Sequence, residues 1–108
     1  MIVEYIRYQL AAHAGEELEA AYARAARHLQ ASPHALAWEL SRCADDPRSY
    51  VLRIEWDSAE GHMGGFRRGP DFPPFLREIR PFVGEIAEMR HYDVTAVASR
   101  KTGVAADA

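Results

Sequence analysis

The chain has 108 residues and a mass of 12.1 kDa, a length typical of one domain, and 48% of its residues are hydrophobic. Thirteen Lys and Arg against 16 Asp and Glu give a net charge of −3, which excludes the basic surface of a general nucleic-acid binder or a polybasic membrane patch. No run approaches the ~18 apolar residues of a membrane span, and no secretory signal is recognisable, so we expect a cytoplasmic protein. The single cysteine, Cys43, permits no intrachain disulfide.

The pattern of apolar residues divides the chain into four strands and three helical segments. In chain order these are a strand over 2–10, a helix from 15 to the proline at 33, strands over 35–43 and 49–56, short helices over 58–68 and 71–80, and a strand over 85–95. This order is that of the ferredoxin-like βαββαβ fold, an α+β architecture with an antiparallel sheet covered by helices on one face. We predict one such domain over residues 1–95 and a flexible C-terminal tail over 96–108.

Because helices cover only one face of this sheet, the other must meet solvent or a second sheet. Strand phase places a mixed set of side chains on this uncovered face: Arg7, Glu39, Arg53, Glu55, His91, Val3, Tyr5, Val51 and Met89. On the second strand, Leu36, Trp38 and Leu40 share the opposite, covered face. A face that mixes charged and apolar side chains is better suited to packing against the sheet of a second copy, with charge pairs between them, than to burial in a purely apolar core. The alternative is a sheet that simply faces solvent.

Two segments carry a family resemblance. They are Ile54-Glu55-Trp56-Asp57-Ser58, which enters a helix, and Gly69-Pro70-Asp71-Phe72-Pro73-Pro74-Phe75, followed by a strand that ends in Glu88-Met89-Arg90-His91-Tyr92. With the element order, residues 1–95 resemble the antibiotic biosynthesis monooxygenase (ABM) domains, a family of dimeric α+β barrels. The resemblance implies a homodimer with a hydrophobic pocket between sheet and helices. It also implies oxidation of quinols or phenols by O₂ without metal or flavin, or haem degradation.

Four aromatic residues are candidates for binding a small aromatic molecule. Trp56 ends its strand at the mouth of any pocket between helices and sheet, where its ring would offer a flat wall; the alternative is a plain core tryptophan. Phe66 and Phe72 follow on the short helices, and such pockets are mostly apolar. Tyr8 shares its strand face with Ile6 and is expected to point into the pocket.

His62 is the candidate proton acceptor. It lies four residues before Phe66 on the predicted helix, so the two side chains can border one cavity. A neutral imidazole there can take a proton from a phenol, although a partly exposed histidine on a glycine-rich helix is the alternative. His91 is expected to face the dimer partner. The histidine spacing and the lone cysteine predict neither a metal site nor a cofactor.

Two functions from different classes remain open. The first is a cofactor-independent monooxygenase that acts on an aromatic or quinol-like small molecule. The second is a non-catalytic dimeric domain that binds an aromatic ligand or haem, or that accompanies a truncated-globin partner, since residues 60–67 also resemble ABM domains of that kind. Quinol-oxidising relatives carry histidines where this chain has Phe66 and Asp71, which favours the second function.

Overall fold

The computed structural model describes residues 1–101, and in it a four-stranded antiparallel sheet is covered by helices on one face. The elements are β1 Ile2–Gln9, α1 Gly15–Ala31, β2 Ala35–Cys43, β3 Asp46–Trp56, a π-helix Gly61–Phe66, α2 Phe72–Ile79, a 3₁₀ helix Arg80–Glu85 and β4 Ile86–Asp93. The strand order β2-β3-β1-β4 confirms the ferredoxin-like prediction. The last seven residues of the predicted tail, 102–108, lie outside the described residues. None of the helices within residues 1–101 has the length and apolarity needed to cross a membrane.

Helix α1 forms over the predicted range because one stripe of its surface is apolar. Four side chains of this stripe are buried against the sheet: Leu18, Tyr22, Ala25 and Leu29. At the N-terminus the backbone N–H of Ala14 donates to the Glu17 carboxylate at 3.2 Å, and acidic residues in the first turn suit the helix dipole. Pro33 follows the last turn and prevents the helix from continuing.

The core beneath α1 is closed by a pair of tyrosines. Tyr8 is fully buried on β1, and its hydroxyl hydrogen-bonds to that of Tyr22 on α1 at 2.5 Å. The two rings meet edge to face with their centroids 6.0 Å apart. Burial raises the pKa of Tyr8 to about 12 and also raises that of Tyr22, so both hydroxyls are neutral at physiological pH.

Strand β4 pairs with β1 through a bulge that changes which side chains face the helices. The pairing skips Ala87 between the partners of Ile86 and Glu88. Since side chains alternate along a strand, one extra residue moves every later side chain to the opposite face. Met89 and His91 therefore lie on the covered face, directly across from Ile6 and Glu4 of β1. The prediction that Met89 and His91 lie on the uncovered face, with His91 towards a dimer partner, is wrong.

A second irregularity affects the start of β2. The pairing with β3 passes from Ala35 to Ala37, so Leu36 is left out of the register. Leu36 is 54% exposed, whereas Trp38 and Leu40 pack against the core as expected. The prediction that all three share the covered face is therefore wrong for Leu36, for the same physical reason as in β4.

The uncovered face is a mixture of charged and aromatic groups. Arg53 donates to the Tyr5 hydroxyl at 3.2 Å and to the Glu55 carboxylate at 2.5 Å. The Tyr5 ring meets that of Tyr92 edge to face at 5.5 Å. After the bulge, the β4 side chains on this face are Glu88, Arg90 and Tyr92. The face is thus polar enough for solvent and apolar enough to pack against a second sheet.

Candidate functional site

A cavity of about 170 Å³ lies between the sheet and the segment that follows β3. Eleven apolar side chains and three polar ones line it: Ile6, Ile54, Trp56, Phe66, Phe72, Phe75, Leu76, Ile79, Val83, Ile86 and Met89, with Glu4, His62 and Arg67. None of these residues belongs to α1. Cavities of about 150 Å³ accept benzene in protein cores, so this volume suits a single aromatic ring.

His62, which lines the cavity, lies on a π-helix. The backbone N–H of Arg67 donates to the carbonyl of His62 at 2.9 Å, the five-residue spacing that defines this wider turn. Just before it, the Ser58 hydroxyl accepts the N–H of Gly61 at 2.8 Å, as a capping side chain does at the start of a helix. Single π-turns are rare and occur often at functional sites. Here the turn directs His62 and Phe66 onto the same ring, that of Trp56.

Two glycines let this π-helix pack closely on the outside of the site. A Cβ added to Gly65 would lie 2.3 Å from the His34 ring, and one added to Gly61 would lie 1.9 Å from the Asp57 carboxylate. His34 and Asp57 are joined at 2.9 Å, and this bond lowers the pKa of Asp57. Glycine at positions 61 and 65 therefore permits the close approach of the π-helix to His34 and Asp57.

Trp56 is the central wall of the cavity. Its side chain is fully buried, and the His62 ring stacks on it with a centroid distance of 4.5 Å and an interplanar angle of 30°. Phe66 lies on the same indole at 5.0 Å and meets Phe72 edge to face at 5.7 Å. Four of the five predicted site residues therefore line one cavity.

Tyr8 is the predicted site residue that does not line this cavity. It lies on the covered face, as strand phase predicted, but further along β1, where α1 covers the sheet and Tyr22 takes its hydroxyl. One face of β1 therefore serves two regions, a closed core at Tyr8 and an open cavity at Glu4. Alternation identifies the face of a strand but not which helix covers each part of it.

The polar end of the cavity is a cluster of three side chains, Glu4, His62 and His91. Glu4 and His62 are almost fully buried, whereas the His91 side chain is 38% exposed. Glu4 Oε1 lies 3.4 Å from His62 Nε2, Glu4 Oε2 lies 3.5 Å from His91 Nε2, and His91 Nε2 lies 3.1 Å from His62 Nδ1. Trp56 Nε1 donates to Glu4 Oε1 at 3.2 Å, which fixes the carboxylate against the cavity wall.

Burial dominates the electrostatics of this cluster. It raises the pKa of the Glu4 carboxyl, against the opposing effects of His91, the Trp56 hydrogen bond and Arg67. For His62, burial together with His91 and Arg67 lowers the pKa to about 4. His62 is therefore neutral at pH 7, so one ring nitrogen carries a hydrogen and the other an electron pair, and the two nitrogens face Glu4 and His91. The cluster can take up a proton from a molecule in the cavity.

The sequence pattern did not identify Glu4, His91 or Arg67 as site residues. Glu4 gave a signal, because it is a lone carboxylate on an otherwise apolar strand face. His91 gave the wrong signal because of the β4 bulge. The three members of the cluster are 58 and 29 residues apart along the chain, yet each offers a ligand atom within 4.8 Å of the others. This grouping arises from the pairing of β1 with β4 and from the turn that carries His62, not from spacing along the chain.

The fold and the site together define a class of protein, small ferredoxin-like domains with an aromatic-walled cavity between sheet and helices. The sequence profile described as "Antibiotic biosynthesis monooxygenase" matches residues 1–77, and the chain belongs to this family. The uncharacterized protein YczJ of Bacillus subtilis strain 168 is 25% identical over 77 residues, which cover 71% of this chain and 81% of YczJ.

Solved structures show the same fold. SnoaB, a cofactor-independent oxygenase from Streptomyces nogalater, superposes with a TM-score of 0.68 at 21% identity, covering 95% of this chain and 97% of SnoaB. A Bordetella bronchiseptica protein assigned to the same family gives a TM-score of 0.70 at 23% identity, covering 87% of this chain and 96% of its own. At these identities the likeness concerns the fold.

Proposed function

We propose that this protein is a cofactor-independent monooxygenase that acts on a small phenolic or quinol-like molecule with one aromatic ring. One observation carries the proposal: an apolar cavity walled by Trp56 ends at a buried, neutral histidine beside a buried carboxylate. Membership of the ABM family supports an oxygenase, and the description of SnoaB supports the absence of a cofactor. The cavity volume supports the size of the substrate.

The first step is removal of a proton from the substrate hydroxyl. His62 accepts it at the ring nitrogen that carries no hydrogen, since burial keeps the imidazole neutral. The carboxylate of Glu4, 3.4 Å from Nε2, compensates the positive charge that forms on the ring. Proton acceptance by a positioned side chain is worth about 10²–10⁴-fold in rate.

The second step is electron transfer from the resulting anion to O₂. The substrate supplies the electrons that reduce O₂. The O–O bond breaks, one oxygen atom bonds to a ring carbon that loses its hydrogen, and the other oxygen leaves as water with the two hydrogens that the substrate loses overall. The protein has to hold the anion in a dry site and stabilise its charge. Arg67 suits the second task, because its guanidinium lines the cavity and lies 4.8 Å from the centre of the Phe72 ring.

We also propose that the active form is a homodimer joined through the uncovered sheet faces. The support is the mixed surface around Arg53, Tyr5 and Tyr92. Light scattering at micromolar concentration should give twice 12.1 kDa, and Arg53→Glu should weaken the dimer. A stable wild-type monomer would contradict this proposal and leave the cavity chemistry unaffected.

Oxygen consumption tests the proposed activity. Purified protein is mixed with one-ring hydroquinones and phenols in an oxygen electrode, and binding is followed separately by quenching of tryptophan fluorescence. We expect quenching and enzyme-dependent oxygen uptake with at least one of these compounds. Quenching without oxygen uptake across the series would overturn the oxygenase proposal and assign the cavity to the non-catalytic alternative, an aromatic-ligand or haem-binding domain.

A further inference from the structure

We propose that the cluster formed by Glu4, His62 and His91 is a binding site for one divalent transition-metal ion. The three side chains offer two imidazole nitrogens and a carboxylate, the ligand set typical of zinc, iron or cobalt sites with positions left open. The inference concerns the same cluster as the proposed function but does not depend on catalytic activity.

The three side chains approach one another closely enough to share a single ion. At metal–ligand bond lengths of about 2.0–2.2 Å, neighbouring ligand atoms lie about 3.0–3.6 Å apart in tetrahedral or octahedral sites. Glu4 Oε1 lies 3.4 Å from His62 Nε2, Glu4 Oε2 lies 3.5 Å from His91 Nε2, and one ligand atom of each residue lies within 4.8 Å of the others. The two ring nitrogens of His62 point in different directions, so an ion would take one of them, and rotation of the partly exposed His91 would bring its ring nitrogen closer to that ion.

A cation would also balance the charge of the site. The Glu4 carboxylate is 3% exposed, and within residues 1–101 its ion-pair contacts are the two histidines alone. Burying a carboxylate is costly, and a cation bound beside it would lower that cost.

The surroundings of the cluster resemble the outer layer of a metal site. Carboxylate and histidine ligands are usually held by further hydrogen bonds or packing, which orient them before the ion binds. Here Trp56 donates to Glu4 Oε1 at 3.2 Å, and its ring stacks on His62. Exposed His91 gives the ion a path from solvent, and the cavity occupies the remaining coordination side.

The donor set indicates the class of ion. Two imidazoles with one carboxylate favour Zn²⁺, Fe²⁺, Co²⁺ or Ni²⁺ over Mg²⁺ and Ca²⁺, which prefer sites made of oxygen atoms. A bound ion and the substrate's proton would compete for the same electron pair of His62. The cation-loaded protein is therefore expected to be inactive in the proposed reaction.

Titration with metal alone tests the site. Full-length protein, freed of any histidine tag and treated with chelator, is titrated with Zn²⁺ by calorimetry and with Co²⁺ by visible absorption. We expect one equivalent to bind, without competition from Mg²⁺. Glu4→Gln and His91→Ala should each weaken binding by more than the roughly 10–100-fold that loss of an outer-layer partner costs. His91 is partly exposed, so its loss should preserve the fold, as checked by circular dichroism.

His34→Ala is the matched control, because it removes another histidine that contacts a carboxylate, Asp57, outside the cluster. It should leave the affinity unchanged. The proposal is overturned if wild type binds no Zn²⁺, or if both cluster variants bind it as tightly as wild type does. Since the titration uses neither substrate nor oxygen, its failure would not affect the proposed monooxygenase activity. Conversely, a protein without oxygenase activity could still bind Zn²⁺ in the titration.

Discussion

Two polar groups on the same face of β1 have opposite surroundings. Tyr8 is sealed under α1, where its hydroxyl and that of Tyr22 satisfy each other. Four residues earlier, Glu4 lies under the π-helix, beside a cavity and next to two histidines. Both groups are buried and both have a raised pKa. Around Tyr8 the polar atoms are hydrogen-bonded to each other inside a packed core, whereas around Glu4 they border a cavity that a ligand can enter.

The difference follows from the elements that cover the strand. Helix α1 is long and regular, and its stripe of small and large apolar residues fills the space above Tyr8. The segment after Trp56 is a short π-helix, α2 and a 3₁₀ helix, which leave a gap between them and the sheet. The part of β1 around Tyr8 is therefore expected to matter for stability, and the part around Glu4 for catalysis. Substitutions in the two parts should change different quantities, the free energy of unfolding for the first and turnover for the second.

Among the changes Glu4→Gln, Tyr8→Phe and Glu85→Gln, the first has the largest expected effect. The amide keeps the shape and can still accept the Trp56 N–H, but it cannot compensate a positive His62. Oxygen uptake should fall by about 100-fold, as when one electrostatic contact to a transition state is lost. Stability in urea should be unchanged or higher, because a buried charge is removed. A Glu4→Gln variant that unfolds more easily but has normal turnover would show that Glu4 stabilises the fold and is not needed for catalysis.

Tyr8→Phe should show the opposite pattern. The variant leaves the buried Tyr22 hydroxyl without its partner, which should lower the free energy of unfolding by about 1–3 kcal/mol. Oxygen uptake at 20 °C should stay within about twofold of wild type, because Tyr8 does not line the cavity. Urea unfolding and the oxygen electrode measure the two quantities on the same sample. A large loss of turnover in a stable Tyr8→Phe protein would indicate that Tyr8 takes part in catalysis after all.

The smallest expected effect concerns Glu85, which fastens the loop before α1 to the start of β4. Its carboxylate accepts the N–H groups of Ala11 and Ala12 and contacts the His13 ring, and these bonds lower its pKa from 4.5 to about 2. A lowered carboxyl pKa contributes stability that is complete above pH 4.5 and is lost as the pH falls towards 2. Glu85→Gln should remove this contribution.

The measurement is the difference in unfolding free energy between wild type and Glu85→Gln at pH 7 and at pH 3. We expect wild type to be more stable at pH 7 and the gap to narrow at pH 3. Glu16→Gln, a change at an exposed glutamate in the first turn of α1, serves as the control. A gap that widens as the pH falls would contradict the assigned direction of the pKa shift.

Regular periodicity accounts for what the sequence predicted correctly. Strands β1 and β3 keep an unbroken register from the Ile2–Trp56 pair to the Gln9–Ser49 pair, and α1 keeps its helical stripe throughout. The fold class and the position of Trp56 therefore followed from alternation and spacing. The approach of His62 and Phe66 to that indole also followed, although through a π-turn rather than the expected α-helix.

The wrong predictions concern strands in which one unpaired residue interrupts the alternation of side chains between the two faces. The bulge at Ala87 reverses the phase of β4 and brings His91 to Glu4, and the irregularity at Leu36 turns that side chain outwards. Neither is marked by a glycine or proline at the skipped position. The polar cluster depends on the first of these bulges, so its third member could not be predicted from strand phase.

The central claim is that the side chains at the Glu4 end of the cavity catalyse a reaction and do not only stabilise the fold. The most direct test is to measure the oxygen uptake of His62→Ala with a hydroquinone that wild type oxidises. Turnover should fall by about 10²–10⁴-fold while ligand quenching of tryptophan fluorescence is largely retained, because the Trp56 wall remains. A His62→Ala protein that turns over within a few-fold of wild type would contradict the claim.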